Sequence, residues 1–240
     1  MKKTLIALMA LAGVAAAGAV ETETLWTVNF GTEYEGGYQV IDGTSTYVIT
    51  ESWDMNFVSG GIVSSCVKDE EGNVTSTARP HLRGDTGVDW TDDFQFTITF
   101  TTPETIVANK AWPVIAGLEE NTLRFGPYLE ENNYINIDGE HDGKTTHNVA
   151  LTSGLHTATL TVIDGKVSLY LDSALAAECT LKDSLSGDIK NITLGGGGAD
   201  SYRMNQVVHS MSMAKIVPEP ATATLSLLAL AGLAMRRRRK

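Results

Sequence analysis

The sequence predicts an all-β protein, a two-sheet antiparallel β-sandwich flanked by two short segments of different character. Within residues 20–216, apolar and polar residues alternate along many short segments, which places them on opposite faces of strands. Turn-forming pairs such as Asp164-Gly165 recur between these segments, and helical apolar spacing is almost absent. No linker or internal repeat divides this body. Because a sheet with one apolar face must cover that face, we expect two sheets packed together in one domain.

The N-terminus has the three-part layout of a secretory signal peptide over residues 1–19. Lys2 and Lys3 supply the positive start, and a short apolar run follows them. Ala17 and Ala19 complete a small-x-small site, so we expect cleavage after Ala19. The apolar run has about half of the roughly 20 residues that a membrane span needs. This layout therefore predicts export and argues against a permanent N-terminal anchor.

Three segments predict strands in the first half of the body. Trp26, Val28 and Phe30 share one face of the first predicted strand. Residues 38–49 continue with a run rich in Thr, Tyr, Val and Ile, which favour strands. In residues 94–100, four apolar residues alternate strictly with Gln and Thr, so we expect one buried face there.

The clearest predicted unit is a hairpin over residues 155–172. Asp164 and Gly165 both tolerate a positive φ, which predicts a two-residue turn and fixes the strand register. The apolar pairs are then Val162–Val167, Leu160–Leu169 and Ala158–Leu171, and the polar pairs are Thr161–Ser168, Thr159–Tyr170 and Thr157–Asp172. A one-residue slip would bury the polar set, so we expect a single register.

The hairpin and its flanks resemble the LamG-like domains of the concanavalin A-like lectin and glucanase superfamily. The shared pattern is a His, here His156, followed by the Asp-Gly turn and then by Tyr170 and Asp172. The supporting segments are Trp90–Phe94, Ile192–Gly196 and Met211–Ala214. The resemblance implies a jelly roll over about residues 24–216, closed by the last of these segments, in which His156 makes a structural hydrogen bond. This chain has Ser173 where the family often has Gly, so we expect the turn after Asp172 to differ.

The C-terminus combines a proline motif, an apolar stretch and a basic tail. The motif and the arginines of the tail are Pro218, Glu219, Pro220, Arg236, Arg237, Arg238 and Arg239. The fifteen residues 221–235 would reach only ~22 Å as a helix, short of a ~30 Å hydrocarbon core. Upstream residues or snorkelling arginines would be needed to hold this transmembrane helix in an inner membrane, with the basic tail in the cytoplasm.

This order of elements resembles the PEP-CTERM sorting signal, here over residues 217–240. The resemblance implies a membrane-embedded sorting peptidase, the exosortase, as partner and removal of the tail. The protein would then be anchored transiently in the inner membrane of a Gram-negative bacterium and end in the cell envelope or at the extracellular surface. A simple C-terminal anchor is the alternative.

The charge of the body excludes nucleic acid as a partner. The two terminal segments hold seven of the 18 basic residues and one of the 29 acidic ones. The body between them therefore carries 11 basic and 28 acidic residues, a formal charge of −17. Such a surface repels nucleic acid and anionic lipid.

The sequence predicts no catalytic residues. Glycoside hydrolases of the superfamily place paired carboxylates on one strand in an E-x-D-x-x-E pattern, and the predicted strands lack it. We therefore expect a non-catalytic binding or structural module of the cell envelope, with glycans as the candidate ligand. A divergent glycoside hydrolase or other glycan-active enzyme of the same superfamily is the alternative.

A weak calcium candidate is formed by Asp138, Glu140 and Asp142. They take positions one, three and five of a calcium loop, with Gly at position six. Position twelve is Val149, which has no carboxylate, so a solvated hairpin turn is the better interpretation and no cofactor is predicted.

Cysteines and aromatic residues give the remaining candidates. Cys66 and Cys179 either form a disulfide in an oxidising envelope or are two separately buried thiols. Several aromatic residues have rings that could stack on sugars, but most aromatics in such a domain belong to its core. Tyr128 and Tyr134 bracket a polar stretch, so we take these two as candidate ligand-binding residues.

Overall fold

The structure is a computed structural model of the chain. It describes residues 21–30, 38–40, 48–52, 55–58, 60–64, 67–68, 74–76, 81–83, 86–104, 114–119, 122–128, 134–142, 149–194 and 206–217. Residues Thr22–Ile216 form one compact unit. The predicted cleavage site at Ala17 and Ala19 and the sorting motif from Pro218 to Arg239 lie outside the described residues. The division into signal peptide, domain and sorting tail thus stays a prediction. In the described part of the chain, no helix has the length and apolar character that a membrane crossing requires.

The described residues are folded as strands and connections. Their eighteen strands are β1 (Thr22–Asn29), β2 (Tyr38–Val40), β3 (Val48–Ser52), β4 (Met55–Val58), β5 (Gly61–Ser64), β6 (Val67–Lys68), β7 (Val74–Ser76), β8 (His81–Arg83), β9 (Phe94–Thr102), β10 (Ala116–Leu118), β11 (Leu123–Tyr128), β12 (Tyr134–Gly139), β13 (His141–Asp142), β14 (Gly154–Ile163), β15 (Lys166–Leu171), β16 (Ala174–Leu181), β17 (Asn191–Leu194) and β18 (Val207–Ile216). The predicted all-β class is therefore confirmed.

The strands form two antiparallel sheets and one small pair. The nine-stranded sheet has the order β13-β16-β15-β14-β9-β18-β5-β4, and β1 also pairs with β18. The seven-stranded sheet has the order β12-β11-β10-β17-β8-β3-β2, and β6 pairs with β7. The predicted final strand, β18, lies between β9 and β1 in the middle of the larger sheet.

The core lies between the two sheets. The predicted apolar face of β9 is fully buried, since Phe94, Phe96, Ile98 and Phe100 have no exposed surface. From the other sheet, Phe125 contacts Phe96 with 6.5 Å between the ring centroids. This contact places the inner faces of the two sheets against each other, as a sandwich requires.

The predicted hairpin has the register expected from its turn. β14 and β15 pair Val162 with Val167 and Ala158 with Leu171, together with the intervening pairs. Asp164 and Gly165 have φ values of 50° and 72°, which makes the turn a two-residue hairpin turn of the primed kind. The two-residue turn at Asp164-Gly165 therefore sets the register of the hairpin.

The turn after β15 repeats this geometry without a glycine. Asp172 and Ser173 have φ values of 50° and 70° and join β15 to β16. Ser173 therefore adopts the left-handed conformation for which glycine is favoured, and the turn is tight although the residue differs from the family pattern.

The predicted turn at Asp138-Gly139 is not a hairpin. β12 runs to Gly139 in the seven-stranded sheet, and β13 begins at His141 in the other sheet. The chain crosses between sheets here, with Gly139 at φ 121°. A Cβ on Gly139 would lie 2.1 Å from the carbonyl oxygen of Thr122, so the crossing needs a residue without a side chain.

Candidate functional site

A strip of polar side chains lies on the outer face of the β11–β12 hairpin. In β12, Ile135 and Ile137 are buried on the core side. Tyr134, Asn136 and Asp138 alternate with them and so belong to the opposite face. We call the set Tyr134, Asn136, Asp138 and Arg124 the polar strip.

An ion pair forms one end of the polar strip. Arg124 and Asp138 are register partners on β11 and β12. The Nε atom of Arg124 donates a hydrogen bond to Oδ2 of Asp138 at 2.8 Å, and a terminal guanidinium nitrogen contacts the same oxygen. Each side chain keeps about a third of its surface exposed, at 31% for Arg124 and 30% for Asp138. The pair is therefore fixed by two contacts and open to solvent on one side.

Between the ion pair and the tyrosines, the strip has an amide opposite a glycine. Asn136 is the register partner of Gly126, which adds no side chain to this face. Asn136 is 6% exposed, and its Oδ1 atom accepts the backbone N–H of Ile137 at 2.8 Å. This bond uses the amide oxygen and not the NH2 group, which can only donate.

The two candidate tyrosines come together at the other end. Tyr128 and Tyr134 were chosen for their place around a polar stretch, and the backbone register makes them direct partners across β11 and β12. The side chain of Tyr134 is half-buried, and that of Tyr128 lies outside the described residues. Sequence reasoning missed Arg124 and Asn136, although their alternation with buried apolar residues is the signal that would have found them.

Two of the three calcium candidates are held by other contacts. Asp138 pairs with Arg124, and Glu140 contacts Nζ of Lys182 at 2.5 Å. Asp142 lies on β13 in the other sheet, exposed to solvent. In the part of the chain that the structure describes, no three His, Cys, Asp or Glu residues are grouped as metal ligands. The arrangement thus gives no support to a calcium site at these positions.

Cys179 is a free, buried thiol in the described structure, and the possible disulfide with Cys66 stays a prediction. It lies on β16 opposite Val167 and is 7% exposed. Burial raises the pKa of the Cys179 thiol to about 12, because the thiolate would lose its hydration. Cys66 lies outside the described residues.

His156 has the structural role that the resemblance implied. Its Nδ1 atom is 2.7 Å from Oδ2 of Asp172, and its Nε2 atom is 2.9 Å from the carbonyl oxygen of Thr152. The ring is 7% exposed and its centroid lies 5.9 Å from that of Phe100. His156 thereby ties the turn after β15 to the start of β14.

Trp90 also proves to be structural. It is 6% exposed and packs edge-on against Phe94, with 6.5 Å between the ring centroids. Such a ring stabilises the core and has no free face for a ligand.

Several solved structures share this fold. Trypanosoma rangeli sialidase in complex with the inhibitor DANA superposes with a TM-score of 0.57 at 14% identity, over 85% of this chain and 33% of the sialidase. Domain 4 of AbnA, a GH43 extracellular arabinanase from Geobacillus stearothermophilus, in complex with arabinotriose, has a TM-score of 0.51 at 14% identity, over 81% of this chain and 93% of that domain. The chain spans about a third of the length of the sialidase.

These likenesses show the fold: the chain has a jelly-roll-like β-sandwich that is also found in glycan-active proteins. No protein-family model and no curated protein sequence matches the chain.

Proposed function

We propose that this protein is an exported cell-envelope module that binds a glycan without cleaving it, and that the polar strip contacts the sugar. The observation that carries the proposal is the composition of the strip: a half-buried tyrosine, an amide and a partly exposed ion pair on one hairpin. Aromatic rings stack on the apolar faces of sugars, and planar amide and guanidinium groups fix the hydroxyls.

The arabinanase domain supports the class of ligand. It has the same fold over nearly its full length and is described in complex with arabinotriose. At 14% identity this likeness concerns only the fold. The ligand class proposed for this chain therefore depends on the residues of the polar strip.

Export and sorting follow from the two terminal segments. In this proposal, residues 1–19 are the signal peptide that directs export. The exosortase is the sorting partner and recognises residues 217–240. The acidic body, with a formal charge of −17, fits a soluble domain outside the inner membrane.

Binding is favoured over hydrolysis because of the state of Asp138. Most glycoside hydrolases use two carboxyl groups about 5–9.5 Å apart, one of them free to donate a proton. Asp138, the carboxylate of the polar strip, is held in the ion pair with Arg124. A divergent glycan-active enzyme remains the alternative, and the release of sugar from a bound glycan would demonstrate it.

A glycan array tests the proposal. We expect the purified protein to bind a subset of soluble oligosaccharides, arabinotriose included in the panel, with and without added calcium. Y134A and N136A should each weaken that binding at least about tenfold, which is about 1.4 kcal/mol. D183N, a change of an exposed acid outside the strip, is the matched control and should bind as the wild type does. The proposal fails if no glycan binds, or if Y134A and N136A bind as well as the control.

A further inference from the structure

The outer face of the nine-stranded sheet carries a regular array of hydroxyl groups. Across three neighbouring strands, Ser212 pairs with Thr97, which pairs with Thr159, and Ser210 pairs with Thr99, which pairs with Thr157. We call these six residues the hydroxyl lattice. One row continues beyond β14, because Tyr170 on β15 is the register partner of Thr159.

The six side chains face away from the core. They alternate along their strands with residues such as Ile98, Leu160 and Met211, which are at most 1% exposed. The lattice residues themselves are partly exposed, as expected for short side chains flanked by neighbours on a sheet surface. In the described contacts, the Thr97 hydroxyl accepts a hydrogen bond from the Gln95 side chain at 3.3 Å.

The hydroxyl lattice carries no charge, although the body is strongly charged. Thr27 and Asn29, which flank it on β1, are also uncharged. On this face the charged side chains border the lattice: Asp172 accepts the backbone N–H of Thr157 at 2.9 Å, and Lys166 contacts Glu178 at 2.5 Å. Threonine alone would be explained by its preference for strands, but exposed protein surfaces also carry interspersed Lys, Arg, Glu and Asp for solubility. An uncharged block in a body of formal charge −17 is therefore the part of this sheet best suited to a neutral partner.

The spacing and chemistry of the lattice fit a neutral polysaccharide. Hydroxyls both donate and accept hydrogen bonds, as sugar hydroxyls do. Neighbouring strands lie ~4.8 Å apart, so a hydroxyl recurs at that interval across the sheet, close to the length of one pyranose in an extended chain. The Tyr170 ring, half-buried at the end of one row, adds a stacking surface. An acidic polymer would be repelled by the body charge of −17.

We propose that the hydroxyl lattice is a second carbohydrate-binding surface, which takes an extended, uncharged polysaccharide lying across β18, β9, β14 and β15. It shares its ligand class with the proposed function but uses no residue of the polar strip. The strip would hold short soluble glycans, and the lattice would hold the face of a polysaccharide fibre.

Sedimentation with insoluble polysaccharides tests this proposal. The probes are cellulose, chitin and curdlan, with soluble alginate as the charged polymer in a gel-shift assay. We expect the wild-type protein to sediment with at least one neutral probe and not to shift with alginate. The double variant T97V/T159V removes two hydroxyls while keeping branched side chains of the same shape, and should lower the sedimented fraction at least tenfold. T97S/T159S keeps both hydroxyls and should sediment like the wild type.

The controls separate this surface from the polar strip. Circular dichroism and thermal unfolding must show that both double variants are folded. Y134A should sediment normally, whereas T97V/T159V should keep its binding on the glycan array. The inference is overturned if the wild type sediments with no neutral probe, or if T97V/T159V sediments as well as T97S/T159S. It is also overturned if the wild type is a dimer that T97V/T159V dissociates, because a second copy would then occupy the face.

Discussion

Replacing Asp172 with Asn should destabilise the protein at neutral pH and leave it unchanged in acid. Asp172 accepts two hydrogen bonds, from the backbone N–H of Thr157 at 2.9 Å and from Nδ1 of His156 at 2.7 Å. D172N keeps the size of the side chain, and Asn tolerates the positive φ of 50° at this position. The substitution therefore changes the charge and the acceptor strength and leaves the turn geometry intact.

The magnitude follows from the two contacts. A hydrogen bond to a charged group contributes about 1.5–3 kcal/mol. The Asp172 side chain is 51% exposed, so water competes for it, and Asn can still accept one of the two bonds. We expect D172N to lose about 1–2 kcal/mol of unfolding free energy. For a body of this size that lowers the Tm by about 2–8 °C.

The pH dependence gives a sharper test of the same contacts. Burial alone would raise the pKa of Asp172, but the hydrogen bonds from Thr157 and His156 and the charge of His156 outweigh it, so the net pKa is lowered. A lowered pKa means that the carboxylate stabilises the fold at pH values above its unfolded pKa of about 3.9. That contribution disappears as the pH falls through the folded-state pKa.

Urea denaturation monitored by tryptophan fluorescence measures the difference in unfolding free energy between the wild type and D172N, and this difference should shrink in acid. We expect the wild type to be more stable than D172N at pH 5 and above, and the two stabilities to converge as the pH falls below about 4. Equal stabilities at pH 7, or a gap that persists undiminished at pH 3, would refute the reasoning.

Four further predictions concern single residues. S173G should raise the Tm by relieving a left-handed serine, worth about 0.5–1 kcal/mol, and an unchanged or lower Tm would contradict it. Q206L should stabilise the fold by about 1–3 kcal/mol in urea denaturation, since both polar side-chain atoms of the fully buried Gln206 lack partners; a loss of stability would refute this. Cys179, with its pKa of about 12, should resist iodoacetamide at pH 8 until the protein unfolds, so labelling of the native thiol would oppose the burial argument. G139A should strongly destabilise the fold, because the added methyl group would clash with the Thr122 carbonyl oxygen. A Tm equal to that of the wild type would instead show that the backbone between the two sheets shifts to make room.

The hairpin of β14 and β15 was predictable to the residue. Its turn type depends on two adjacent residues, Asp164 and Gly165, and its faces depend on alternation along residues 155–163 and 166–172. Both are local properties of the chain, and a register slip of one position would bury Thr159 and expose Leu160. For the same reason the buried faces of β1 and β9 followed from the sequence.

The polar strip was predictable only in part. Tyr134 was found from a nearby polar stretch, but its alignment with Asn136, and the partnership of Arg124 with Asp138, depend on how β11 pairs with β12. The sequence between those strands has no two-residue turn motif such as Asp-Gly. The pairing register of β11 and β12 therefore could not be predicted from neighbouring residues. Cross-strand partners become known only when the register is known.

By itself, the sequence determined that residues 20–216 form strands with one apolar face and that two sheets must cover each other. The tertiary structure alone decided that the chain crosses between sheets at Gly139, that the Cys179 thiol is buried in the core, and that serines and threonines from three strands form one lattice. The physical reason is the range of the interactions. Alternation acts over two residues, whereas these three features depend on strands far apart in the chain that meet only after the core has packed.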